Sequence, residues 1–161
     1  MINRSALLAD LKRLVTTVQD DLRTRASSAE VPEVGRQLAE EYARAKDARR
    51  TAATFEAWRE GEITQMAVAW ILSCVFARFL EDNALVDAAR IAGPTQNRLE
   101  DARDARLAFF RAHPTETDRE YLLVLFDGLA ALPGTADIFE FSKPRASRTG
   151  LFLGSSGMVA R

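Results

Sequence analysis

The strongest pattern of apolar and polar positions lies between Thr64 and Asn83, where apolar side chains from Met66 to Leu80 fall in every helical direction. A helix that is apolar all round is surrounded by protein or by lipid. The run is shorter than the roughly 20 residues a bilayer requires, with Arg78 inside it and Glu81 and Asp82 just beyond. The expectation is a central core helix around Trp70 and no membrane partner. Thr64 is suited to cap its start, and Asn83 to end it in a left-handed conformation.

Other segments repeat at helical spacing. Leu7, Leu11, Leu14, Val18 and Leu22 form a four-three row, widened by Leu8 and Val15, on a helix expected to end near Ala26. After Ser27, Ser28 and Pro32, a more polar helix is expected from Glu33 to Arg50, with Leu38, Tyr42 and Ala45 on its apolar side. These two would pair antiparallel as an N-terminal arm. Thr51 or Thr54 could cap a short helix carrying Phe55 and Trp58, which Gly61 would interrupt before Thr64 restarts the chain. Gly93-Pro94 is a stop, Gln96 to Ala112 a charged helix ending at His113-Pro114, and Thr117 to Glu120 a capping box before an apolar helix closed by Pro133-Gly134.

No stretch alternates strictly with β-branched enrichment, so the fold class is all-α: an irregular helical bundle with an N-terminal antiparallel arm and a disordered C-terminal tail. The domain limits are 1–141 for the helical domain and 142–161 for an unstructured basic tail. Length supports that division, because 161 residues with 47% hydrophobic content suit one core.

Charge changes the picture only locally. The whole chain carries −1, while the ionic side chains from Phe141 onward are Lys143, Arg145, Arg148 and Arg161. The tail is therefore +4 and the first 142 residues about −5, a poor footprint for tight phosphate binding by the folded part. Cys74 is the one cysteine and sits among apolar neighbours, as a small core residue would. Asp10, Asp20 and Asp21 near the start do not suit a secretory leader, and the expected setting is cytoplasmic.

Candidate chemistry is sparse. Glu81 and Asp82 are adjacent carboxylates, but helical neighbours point about 100° apart and do not converge on one atom. Arg78, four residues before Asp82, is a ready ion-pair partner, so a structural end to the helix is the preferred reading. His113 is the single histidine and lies where a helix must stop, without the further ligands a metal needs. Gly150, Gly154 and Gly157 are spaced like a phosphate loop, yet too few residues follow to build the helix such a loop serves. Trp58, Trp70, Phe76, Phe79, Phe109 and Phe126 lie on helical stripes without interleaved basic residues, which favours core over base stacking. No catalytic, cofactor-binding or metal-ligating residue is assigned.

Several stretches carry a family resemblance in order and spacing. They are the opening Met1 to Lys12, Arg50 to Trp58, Ile63 to Asn83 with its Gln-Met-Ala-Val-Ala-Trp-Ile-Leu, and Phe109 to Leu123 with its Phe-Phe-Arg-Ala-His-Pro-Thr-Glu. Together they resemble the N-terminal region of the PglX family, adenine-specific DNA methyltransferases of phage-growth-limitation and type 2 BREX defence systems. The resemblance covers about residues 1 to 140.

It implies a helical region that precedes a much larger domain using S-adenosylmethionine to methylate adenine N6, with DNA and other BREX components as partners of the full-length enzyme. Such a domain carries a glycine-rich loop for the methyl donor and an Asn-Pro-Pro-aromatic motif for the flipped adenine. None of Pro32, Pro94, Pro114, Pro133 and Pro144 has a neighbouring proline or a preceding asparagine, so no catalytic position of the family can be carried over and no cofactor is expected in this chain. The expectation is a truncated segment with a positioning or partner-contact role, inactive by itself, and with a tail outside the family pattern. The alternative is a free-standing helical interaction module of a defence system, self-associating through Leu7, Leu11, Leu14, Val18 and Leu22.

Overall fold

The computed structural model describes residues 3–30 and 32–139. They form six helices and no strand: α1 (Arg4–Ala26), α2 (Pro32–Asp47), α3 (Phe55–Asp82), α4 (Gln96–Ala112), α5 (Asp118–Ala130) and the single turn α6 (Ala136–Phe139). The all-α reading holds. The tail expected from residue 142 lies outside the described residues, as do Gly150, Gly154 and Gly157.

Contacts divide the described chain into two compact units, one up to Ile71 and one from Leu72, with α3 running through both. In the first unit Asn3 opens α1 by accepting from the N–H groups of Ser5 and Ala6. The core joins Leu22 and Ala26 of α1, Val34 and Leu38 of α2, and Ile63 and Ala67 of α3, flanked by Val15, Val18, Phe55, Trp58 and Met66. Polar pairs edge it: Gln19 Nε2 donates to Thr64 Oγ1 at 2.8 Å and Arg23 Nε to Glu60 Oε2 at 2.8 Å. Tyr42 donates to the carbonyl of Ala53 at 2.9 Å and packs edge-on against Phe55.

The second unit is built around aromatic rings. Phe126 of α5 stacks on Phe139 of α6 with centroids 5.8 Å apart, and Phe76 of α3 meets Phe139 edge-on. Tyr121 of α5 takes the ring of Phe109 from α4 in a T-shaped contact. The capping box forms, with Glu120 accepting the backbone N–H of Thr117 at 2.9 Å.

Four sequence expectations are corrected. Gly61 does not interrupt the chain: α3 is one helix of 28 residues, started by Thr54, whose Oγ1 accepts the N–H of Ala57. Thr64 sits inside α3 and donates back to the carbonyl of Glu60. The roughly 1 kcal/mol that a mid-helix glycine costs is outweighed by the burial of Ile63 and Ala67 two and six residues further on. Second, α3 is not enclosed on all sides, since Val68, Leu72, Val75 and Phe79 are exposed and Trp70 is only half-buried. Third, the left-handed residue at the end of α3 is Ala84 (φ 53°), while Asn83 donates its amide to the carbonyl of Phe79. Fourth, α2 ends at Asp47, three residues before Arg50, where Arg49 (φ 53°) reverses the chain and the N–H of Arg50 bonds the carbonyl of Ala45.

The continuity of α3 also bears on the membrane expectation. Among the described residues it is the one helix long and apolar enough to cross a membrane by length and composition, a test that a soluble protein's core helix also passes. Its row of Ile63, Ala67, Ser73, Ala77, Leu80 and Glu81 is buried in protein.

Gly61 has open space around its Cα. Gly61→Ala is expected to raise stability by about 0.5–1 kcal/mol through helix propensity; a loss in urea unfolding would mean that Gly61 breaks the helix after all. Along α1, Leu22 is 1% exposed and Leu14 53%. Leu22→Ala is expected to cost about 2–5 kcal/mol and Leu14→Ala less than about 0.5, and equal losses in the same titration would contradict this packing.

Candidate functional site

The densest polar construction in the described residues lies where α3 ends and the chain travels to α4. Glu81, in the last turn of α3, is 2% exposed. Its Oε1 accepts the N–H groups of Arg90 (2.6 Å) and Ile91 (2.7 Å), and its Oε2 those of Ala92 (3.0 Å) and Gly93 (2.9 Å). One carboxylate thus satisfies four consecutive backbone donors, which close on it as a backbone nest closes around an anion. Burial alone would raise this carboxyl, but the four donors together outweigh it and hold it below the usual carboxylate range.

Other side chains pin the carbonyls of the same loop. Arg78 Nη1 donates to the carbonyl of Gly93 at 2.9 Å, Tyr121 to that of Arg90 at 2.8 Å, and Arg98 Nη2 to that of Val86 at 2.8 Å. Arg78 also forms the ion pair anticipated from its spacing, with Nη2 2.8 Å from Asp82 Oδ1. Gly93 is required twice over. Its φ of +67° is left-handed, and a Cβ there would come within 2.4 Å of the Arg98 Cβ.

This arrangement fixes backbone and leaves Glu81 little to offer a ligand. Each of its oxygens already accepts two hydrogen bonds, so it has no free lone pair for a metal and no proton to trade near neutrality. Asp82 is turned to Arg78 and does not converge with it. His113 ends α4, its N–H bonded to the carbonyl of Phe109 at 2.8 Å and its ring against the Phe109 ring. Burial pushes the Cys74 thiol up to about 11, far from a reactive thiolate. Trp58 packs against Tyr42, and Phe76, Phe79, Phe109 and Phe126 against other rings. Among the described residues no three His, Cys, Asp or Glu side chains are grouped to hold a metal ion.

The Glu81 clasp escaped sequence reading, although one signal was there. Glu81 and Asp82 stand at the negative end of a helix whose last turn has no basic residue, an electrostatically wrong place for carboxylates. Such a side chain needs donors from elsewhere.

The fold and this site define a class: a helical segment whose described polar side chains act mainly on its own backbone. The particular likeness is to the adenine-specific methyltransferase PglX of Streptomyces coelicolor, to which the chain is 40% identical over 122 residues, 76% of this chain and 10% of that protein. The resemblance seen in the sequence is confirmed as one to a partial segment, and the chain spans about a tenth of its relative's length. No family model and no solved structure matches.

Since the Glu81 carboxyl is lowered on folding, its contribution is present above the unfolded value of about 4.3 and is lost as pH falls through the folded one. Glu81→Gln leaves two of the four N–H groups facing an amide donor and is expected to cost about 3 kcal/mol at pH 7. The difference should shrink below pH 4 in urea titrations across pH; a gap that stays constant would remove the charged clasp from the account.

Proposed function

We propose that this chain is a non-catalytic helical segment of an adenine-specific DNA methyltransferase of a BREX anti-phage system, where it positions the enzyme or contacts its partners in the cytoplasm. The observation that carries the reading is the 40% identity over three quarters of the chain to a protein ten times longer than the matched stretch. The engagement of Glu81, Asp82 and Arg78 with one another and with backbone supports the non-catalytic part. On this reading S-adenosylmethionine, target DNA and the other defence components are held by the rest of the enzyme.

A second reading, a free-standing interaction module, is favoured by α1. Leu22 is used up in the chain's own core and Val18 packs beside it, but Leu7, Leu8 and Leu14 remain exposed on the N-terminal half. The row expected to mediate self-association is therefore only open at that end.

The test uses the Streptomyces coelicolor methyltransferase with its matched segment deleted or replaced by this chain. Deletion should lower incorporation of labelled methyl groups into DNA on the order of a hundredfold, the scale of a misplaced reactive geometry, and the graft should restore most of it. The 161-residue chain alone should transfer none and give no heat with S-adenosylmethionine in calorimetry. Transfer by the isolated chain, or a graft no better than the deletion, would defeat the proposal.

A further inference from the structure

The outward face of α3 in the second unit carries Leu72 (56% exposed), Val75 (39%) and Phe79 (50%), three large apolar side chains at three- and four-residue spacing. Asp82 bounds the row with a polar group at its C-terminal end. From Leu72 to Phe79 this seam is about 11 Å long at the helical rise.

Its shape selects among partners. Three- and four-residue spacing is that of a seam into which another helix packs its knobs, and half-buried Ile71 and Phe76 flank it. The flanks agree. Arg78 is committed to Asp82 and the carbonyl of Gly93, and Ser73 and Ala77 are buried. The size is also informative. Three partly exposed side chains offer on the order of a few hundred Å², well below the roughly 800 Å² per partner of a stable bimolecular interface. A contact that small holds when the partner is tethered, because the effective concentration is then high. Nine-tenths of the relative's length lies outside the stretch this chain matches.

We infer that the Leu72, Val75, Phe79 face of α3 is a docking seam for one apolar helix supplied by the remainder of the methyltransferase polypeptide. The inference rests on the proposed function and gives the positioning role its surface.

The experiment is site-specific thiol labelling read by mass spectrometry, with Leu72→Cys or Phe79→Cys in a Cys74→Ala background. Both place a smaller side chain at an exposed site, and circular dichroism checks that the helices persist. Leu107→Cys on α4, also exposed, is the control. In the isolated chain all three cysteines should label quickly; in the graft within the Streptomyces enzyme, positions 72 and 79 should slow by at least about tenfold while 107 is unchanged, as for a side chain enclosed at a packed contact. A graft that methylates DNA while 72 and 79 label at the free rate overturns the docking seam and leaves the proposed function standing. A graft that does not methylate removes the proposed function, and the seam with it. Protection already present in the isolated chain also overturns the inference: through a second copy if sedimentation gives a dimer, through residues 140–161 if deleting them restores labelling, and through a membrane if protection appears only with anionic vesicles.

Discussion

Four backbone N–H groups in succession, Arg90 to Gly93, converge on the buried carboxylate of Glu81, and the course of the chain between α3 and α4 depends on it. A loop of thirteen residues with no helix of its own has few ways to satisfy its backbone away from water. Ionised Glu81 offers four acceptor sites where a neutral side chain offers fewer, and the charge strengthens each bond. The cost of burying that charge is met by the same donors that the loop must place. Each half of the interaction therefore removes the reason the other would be unfavourable, which is why an acid persists at a helix end that disfavours it.

The clasp also explains the strain beside it. Ala84 stands at φ 53°, a conformation costing an alanine about 1 kcal/mol, and the N–H of Leu85 bonds back to the carbonyl of Leu80 as the helix closes. Gly93 turns left-handed at the other end, directly against Arg98. With both ends fixed, α3 stops at Asp82, just past the end of its apolar run at Leu80. At its start no comparable device is needed: Thr54 caps it, and core contacts of Phe55, Trp58 and Ile63 carry it past Gly61.

The legible parts of the fold were those written in side-chain type at fixed spacing. The Leu-rich row of α1, the Thr117 start of α5, and the Pro114 and Pro133 stops each depend on a residue whose chemistry acts on its immediate neighbours. Errors arose where tertiary contacts decide. Gly61 reads as a break until the burial of Ile63 and Ala67 is known, and Asn83 reads as the left-handed residue until the next position is seen to take that role. The Glu81 site was the least legible, because its partners are backbone N–H groups nine to twelve residues away that any sequence would supply. Only the misplacement of an acid at a helix C-terminus marked it.

The same distinction governs how the chain can act on others. Side chains that bind small molecules need unspent lone pairs or protons, and here both Glu81 oxygens each accept two backbone bonds, while Asp82, Arg78, Arg98 and Tyr121 are each engaged at a loop or helix end. The outer row of α3 is unspent in a different sense, because it exposes apolar area that water penalises and that no polar ligand would relieve. The clasp ties the loop to α3, and the open apolar face lies on that same helix. The polar clasp at the end of α3 and its apolar outer row are therefore parts of one helix: the first fixes the backbone beside which the second is presented.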